Sequence, residues 1–234
     1  MSGLQGKTLL VTGGASGLGR EIAQQSAAAG AKVALMDVRA DRLEAAKSAL
    51  GGQSMAIQAD ITKEEEIVRA VREVVDAWGQ LDVVVNSAGV IWRGPLVETP
   101  TAEYDRMHAV NVRGLYLMCR EAAKVMVPRK SGHIVNIASV AGKRGIVGES
   151  AYSSGKWAVV GLGEGLALEL GPEGIRVTTI CPGGMNTTFW ENDPKNAGAT
   201  HMLNPAHVAQ AVVGIISLPP EVVVKEALVY QPGR

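Results

Sequence analysis

Short runs of β-branched and aliphatic residues alternate with longer stretches of helical period almost from end to end, and this rhythm constrains the fold more than any other feature. Lys7–Val11, Lys32–Asp37, Ser54–Gln58, Leu81–Asn86, His133–Ile137, Arg176–Cys181 and Glu226–Tyr230 read as strands. Leu18–Ala29, Arg39–Leu50, a stretch ending near Trp78, a long stretch from Pro100 to about Val127, Ala151–Leu170 and Pro205–Leu218 read as helices. Thr62 with Glu65 three residues on predicts a capping box opening the third helix. Leu81–Asn86 is nearly apolar throughout, as a strand covered on both faces must be. Strands alternating with helices need crossovers, so the sheet is parallel, the connections right-handed and both faces covered. The fold class expected is α/β: one doubly wound domain over 1–234, with a parallel sheet of about seven strands and helices on both faces.

No linker of disordered composition and no internal repeat divides the 234 residues, which supports one domain. At 47% hydrophobic and 20% charged, the chain can bury a sizeable core, and this excludes disorder and collagen-like arrays. The 23 basic and 23 acidic side chains balance, so charge supports neither nucleic acid nor an anionic membrane as partner. Glycine is the outlier, at 28 residues against a usual ~7% of a chain, and points to backbone held close to backbone or to a ligand. Cys119 and Cys181 lie in apolar surroundings and read as buried thiols of a reducing compartment, not as a disulfide. The first apolar run is short and meets a glycine cluster at once, unlike a signal peptide, and no run of about 18 apolar residues occurs. The location expected is cytoplasmic. His108, His133, His201 and His207 are scattered without metal-ligand spacing, so no metal is expected.

One segment breaks the rhythm. Residues 184–204 hold Met185, Phe189, Trp190 and Met202 among glycine, asparagine and threonine without clear period. Long irregular loops in compact domains often bind ligands, so this segment is read as a substrate-binding loop.

Thr12-Gly13-Gly14-Ala15-Ser16-Gly17-Leu18-Gly19 joins the first strand to the first helix. A glycine loop there lets backbone approach a pyrophosphate, which the helix N-terminus meets with unpaired N–H groups and positive partial charge. Asp37 ends the second strand about twenty residues beyond, where an acid accepts bonds from ribose hydroxyls and repels a 2′-phosphate. Arg39 is the competing signal, but Asp37 outweighs it and the cofactor expected is NAD. Tyr152 and Lys156 are four apart at a helix start and share a face. A nearby ammonium favours the phenolate, so the pair is fit to move a proton to or from an alcohol oxygen. Ser139 follows the fifth strand, at the carboxyl edge where doubly wound sheets bind ligands.

Together these residues resemble the short-chain dehydrogenase/reductase family over essentially the whole chain. The matching residues are Thr12-Gly-x-x-x-Gly17-x-Gly19, Asp60, Asn86-Ser-Ala-Gly89, Asn111, Ser139, Tyr152-x-x-x-Lys156 and Pro182-Gly183. The resemblance implies a Rossmann-type domain and a catalytic tetrad of Asn111, Ser139, Tyr152 and Lys156. In such enzymes the tyrosine is the general acid/base and the serine holds the substrate oxygen. The lysine bonds the nicotinamide ribose and depresses the tyrosine pKa, and the asparagine helps position a water on the proton path. The cofactor-binding residues implied are Gly13, Ser16, Gly17, Leu18 and Gly19 at the pyrophosphate and Asp37 at the adenosine ribose. Asp60 and Ile61 belong at the adenine, Asn86, Ala88 and Gly89 on the adenosine side, and Pro182, Gly183 and Thr187 beside the nicotinamide.

Ser87 replaces a frequent second asparagine, and Thr178 stands where an asparagine is common. The tail Val229–Arg234 lacks the glycine-rich ending that many relatives use at a subunit contact, although a homodimer or homotetramer is usual in the family. Trp92, Arg93 and Arg144 follow strand ends and are candidates to reach a substrate. Trp157, Leu162, Leu166 and Leu170 read as core or subunit contact. The activity expected is NAD(H)-dependent interconversion of a small-molecule secondary alcohol and a ketone. The alternatives are an NADPH-dependent 3-oxoacyl-thioester reductase and, in a different class, an inactive dinucleotide-binding regulatory protein.

Overall fold

A computed structural model describes residues 2–190 and 202–232. Strands β1 (Thr8–Thr12), β2 (Lys32–Asp37), β3 (Ser54–Gln58), β4 (Val83–Asn86), β5 (Gly132–Ile137), β6 (Ile175–Pro182) and β7 (Glu226–Val229) form one sheet. Its order is β3-β2-β1-β4-β5-β6-β7, and every pairing is parallel. After β3 the chain crosses to the other side of β1, so a crevice opens at the carboxyl ends of β1 and β4.

The period of a strand explains the two cores. Leu9 and Val11 point to one face and Leu10 to the other, and all three are fully buried. The first face is covered by α1 (Gly17–Ala28) and α7 (Pro205–Ile216). The second is covered by α3 (Glu64–Trp78), α5 (Leu115–Met126) and α6 (Ser150–Leu170). Burying each such Leu or Val side chain stabilises the fold by roughly 1.5–3 kcal/mol. The helix α2 (Ala40–Leu50) presses Leu43 and Ala46 onto the β2 end of the first face. No helix of the described residues is long and apolar enough to cross a membrane.

Two helix boundaries differ from expectation. The capping box does not form: Thr62 gives both its backbone N–H (2.9 Å) and its hydroxyl (2.8 Å) to the Asp60 carboxylate, and Glu66 accepts from the Asp60 N–H at 2.7 Å. An Asx turn on Asp60 therefore captures the threonine, and α3 begins only at Glu64. The long helix after Pro100 is three pieces, α4 (Thr101–His108), a π-helical turn Ala109–Gly114, and α5. The wide turn swings Asn111 inward and lets Gly114 press on Ile61, whose carbonyl oxygen a Cβ there would meet at 2.8 Å.

The described ends of the irregular segment pair with one another. Met185 and Leu203 form a bridge through Leu203 N–H to the Gly184 carbonyl (2.8 Å) and Asn186 N–H to the Leu203 carbonyl (3.0 Å). Thr188–Trp190 makes a single 3-10 turn. The Trp190 side chain, residues 191–201 with His201, and the tail residues Gly233 and Arg234 lie outside the described residues.

Candidate active site

A cleft of about 440 Å³ runs along the carboxyl edge of the sheet, with one arm at the glycine loop and the other at Ser139 and Tyr152. The first arm is set by close backbone approach. Gly13 (φ +64°) and Gly17 (φ +51°) are left-handed, and a Cβ on Gly13 would lie 2.9 Å from the Ala88 Cα. A Cβ on Gly19 would overlap the Gly13 carbonyl oxygen, so α1 can start against the loop only without a side chain there. Thr12 ties β1 to the turn after β4, its hydroxyl accepting from Ser87 and Ala88 N–H at 3.1 Å each. Ser16, Leu18, Asp60, Ile61, Ser87, Ala88 and Gly89 complete this wall. Backbone that a Cβ would fill, at a helix N-terminus, fits a dinucleotide pyrophosphate.

Asp37 is fixed at the end of β2, one carboxylate oxygen accepting from Ala15 N–H (3.1 Å) and the other from Arg39 N–H (3.0 Å). The Arg39 guanidinium reaches Asp41 instead of the cleft, at 3.2 and 3.0 Å. Arg42, in the first turn of α2, lines the wall and was not singled out from sequence.

The second arm is built from side chains. Ser139 follows β5 and its hydroxyl accepts from Ala141 N–H at 3.1 Å, opening the turn Val140–Gly142. Tyr152, in the first turn of α6, lies beside the Ser139 side chain on the cleft wall. Lys156 follows one turn later, its Nζ donating to the Ile137 carbonyl at 2.9 Å and standing 5.7 Å from the centre of the Tyr152 ring. Pro182, Gly183, Met185, Thr187 and Phe189 close the arm, with the Phe189 and Tyr152 rings 6.2 Å apart, whereas Met202 is off the wall.

Two predicted residues sit behind the wall. Asn86 faces the α5 side of the sheet, its amide donating to Asn136 (2.8 Å) and to Cys119 Sγ (3.3 Å). The alternation of β4 sends it into the core, and Ser87, Ala88 and Gly89 line the cleft instead. Asn111 exchanges two 2.8 Å hydrogen bonds with the backbone N–H and carbonyl of Val90, so its side chain holds the loop that forms the wall.

The electrostatics also differ from expectation. Burial pushes the Tyr152 phenol up from its usual 10; the neighbouring Ser139 side chain opposes this, and the nearby Glu149 carboxylate adds to it. Burial pushes the Lys156 ammonium down to about 8. Desolvation thus outweighs the ammonium's expected effect, and the proton stays on Tyr152 at neutral pH. Glu149, with Ile91, Arg106, Val110 and Ile146, also lines this arm without having been singled out. Of the earlier candidates, Arg93 bonds Glu149 from behind (2.8 Å), Trp92 packs in the small cluster around Tyr152, and Arg144 is exposed off the wall.

The remaining candidates among the described residues do not line the cleft. His133 is buried beneath Thr178, whose hydroxyl donates to the Val224 carbonyl (2.7 Å) and so must accept from His133 Nε2 at 2.8 Å. Burial, with the Arg176 charge, pushes that imidazole down to about 3. His108 bonds Ser154 and His207 is exposed. Among the described residues no group of three His, Cys, Asp or Glu could hold a metal. Leu162, Leu166 and Leu170 pack on the core, whereas Trp157 is half exposed.

Comparison with known proteins finds relatives over most of the chain. The chain is 37% identical over 189 residues to a sorbitol dehydrogenase of Cereibacter sphaeroides, covering 80% of this chain and 74% of that one. A 3-ketoacyl-(acyl-carrier-protein) reductase from Brucella melitensis crystallised with NADH superposes with a TM-score of 0.90 at 30% identity, over 98% of each chain. A metagenomic short-chain oxidoreductase in complex with NADP superposes at 0.86 with 32% identity, over 98% of this chain and 99% of that one. The family model for short chain dehydrogenases matches residues 7–198, so the chain belongs to the short-chain dehydrogenase/reductase family of oxidoreductases acting on CH–OH groups.

Proposed function

We propose that the protein is an NAD(H)-dependent oxidoreductase that interconverts a secondary alcohol and a ketone, with Tyr152 as general acid/base. The observation carrying this reading is that Ser139, Tyr152 and Lys156 line one cleft with the glycine loop. The dinucleotide supplies the hydride chemistry, and the chain supplies binding, orientation and the proton. Ser139 and Tyr152 together hold the substrate oxygen. Tyr152 then gives its proton to a ketone or accepts one from an alcohol. Its protonated state at neutral pH suits the acid role, in which it gives the proton to a ketone oxygen. Lys156, anchored on Ile137, is placed to orient ribose hydroxyls beside the tyrosine.

Asp37, fixed against the loop by Ala15, supports NAD over NADP. Arg42 on the same wall favours the second reading, an NADPH-dependent 3-oxoacyl-thioester reductase. Titration with NADH and NADPH, followed by nicotinamide fluorescence, separates the two. Tight NADH with weak NADPH is expected, and Asp37→Ala should weaken NADH about tenfold more than NADPH, a loss typical of one charged hydrogen bond. NADPH preference with an unchanged ratio in the variant would promote the reductase reading. Transfer of isotope from labelled NADH to a product separates either enzyme from a regulatory dinucleotide-binding protein. The outward face of α6, with Trp157 and Leu168 exposed, supports a homodimer or homotetramer, and two free buried thiols support a cytoplasmic location.

A further inference from the structure

Around its reacting groups the substrate arm is largely apolar, and the apolar surface does not stop at the cleft. Ile91, Val140, Ile146, Met185 and Phe189 line the arm beside Ser139 and Tyr152. Of the charges on this arm, Glu149 is paired with Arg93 at 2.8 Å and Arg106 with Glu103 at 2.7 Å, while Lys156 donates to the Ile137 carbonyl. Ile91 and Ile146 belong to the loops after β4 and β5, which are joined where Gly94 N–H donates to the Gly148 carbonyl at 2.9 Å. The Trp92 ring packs on Gly94, in the space that a side chain there would need. Beside that junction the same two loops present Leu96 (73% exposed), Val97 (93%) and Val147 (98%) to solvent. Val147 directly follows Ile146, so the exposed aliphatics extend the wall outward. Single exposed aliphatic side chains are ordinary, but a group of them on two joined loops at the edge of an apolar cleft marks a surface that a ligand covers. A polyhydroxylated chain would give up water along such a wall without hydrogen bonds in return, whereas an alkyl or ring body gains by leaving water.

We propose that the substrate is a neutral secondary alcohol or ketone whose reacting carbon bears an extended apolar group, which lies along Ile91 and Ile146 and leaves the cleft over Leu96 and Val147. The proposal rests on the oxidoreductase reading above and holds for either dinucleotide. Its test is steady-state kinetics, with NAD and with NADP, on a series of 2-alkanols and 2-alkanones from butyl to decyl, beside linear polyols. Along the series kcat/KM should rise about threefold for each added methylene, near the gain expected for one methylene leaving water. Polyols should fall below alkanols of the same length by about tenfold or more, the scale of a desolvated hydroxyl left without a partner. In the double variant Leu96→Asp/Val147→Asp the gain over the last methylenes should be lost, about tenfold in all, while the first methylenes keep theirs and NADH affinity holds. Both positions are exposed, so the change leaves the core packed. Comparing slopes within each enzyme cancels any change at Tyr152, which acts on all substrates alike. A full slope in a variant that binds NADH normally overturns the proposal; if the mass of the assembly falls at the same time, the patch faces a second copy of the chain. A flat series or equal use of polyols by the wild-type enzyme also overturns it, even where the variant fails to fold. Turnover without dependence on length defeats this inference alone, whereas no turnover of any compound with either cofactor defeats the oxidoreductase reading as well.

Discussion

The dinucleotide arm of the cleft is made largely of backbone, whereas the substrate arm is made of side chains carried on loops. On the first arm, Gly13 and Gly17 leave main chain bare, and Thr12 and Asp37 anchor it through N–H groups of Ser87, Ala88 and Ala15. All these anchors sit at the ends of β1, β2 and β4, whose registers Thr12↔Met36 and Thr12↔Asn86 the parallel ladder sets. On the second arm, Ile91, Ile146, Glu149, Met185 and Phe189 come from three separate loops, and only Ser139, Tyr152 and Lys156 are held by the edge of β5 and by α6. Dinucleotide binding is therefore close to a property of the sheet itself. Substrate choice depends on how loops meet.

Two substitutions break this comparison in opposite directions. Tyr152→Phe removes the proton donor proposed above and leaves the glycine loop untouched. Turnover should fall by about a thousandfold or more, in the range lost with a general acid/base, with NADH affinity within about threefold of wild type. Equal loss of both would mean that the arms are not separable. Gly13→Val does the reverse, since φ of +64° and the Ala88 backbone 2.9 Å from the new Cβ force the loop to shift. NADH affinity should drop about a hundredfold, from a few kcal/mol of strain and displaced backbone, while Tyr152 and Ser139 keep their positions. Fluorescence titration checks the first quantity, and the crystal structure of the variant checks the second.

The same contrast explains what the sequence made legible. Lys32–Asp37 and Ser54–Gln58 coincide with β2 and β3, because short apolar runs bounded by glycine and polar residues admit one reading. The glycine loop, Asp37 and the pair Tyr152–Lys156 were legible for a related reason: local geometry alone brings them to the edge of the sheet. Asn86 was legible as a motif residue but misplaced, although the alternation Val85 in, Asn86 opposite already assigns it to the Cys119 side. Thr62 was misread because an acid two residues before it competes for the same hydroxyl. Glu149 and Arg42 were not legible. An acid after Gly148 reads as a solvated helix start, and only the contact with Arg93 on another loop makes it part of a wall. The direction of the Tyr152 shift was equally hidden, since desolvation is a property of the assembled cleft, whereas the four-residue spacing to Lys156 shows only proximity.

Lys156 stands where the arms meet, and its burial gives the comparison a thermodynamic test. Its ammonium titrates at about 8 in the folded protein against 10.5 when solvated, because burial disfavours the charged form. Between those values the unfolded chain binds a proton that the folded protein does not, so stability rises with pH. The penalty is fully present below about pH 8 and is relieved as pH climbs toward 10.5. Lys156→Met removes this term and keeps the volume of the stem. Without added nucleotide, the variant should be the more stable protein at pH 7, and wild type should recover about 2 kcal/mol relative to it between pH 8 and 10. Tyr152 titrates in both proteins, with its folded value above 10, so its contribution cancels in the difference. Denaturant unfolding across this range measures the gap. A constant gap would mean that Lys156 keeps its solvated pKa, and then the ammonium, not burial, would set the charge at the junction of the two arms.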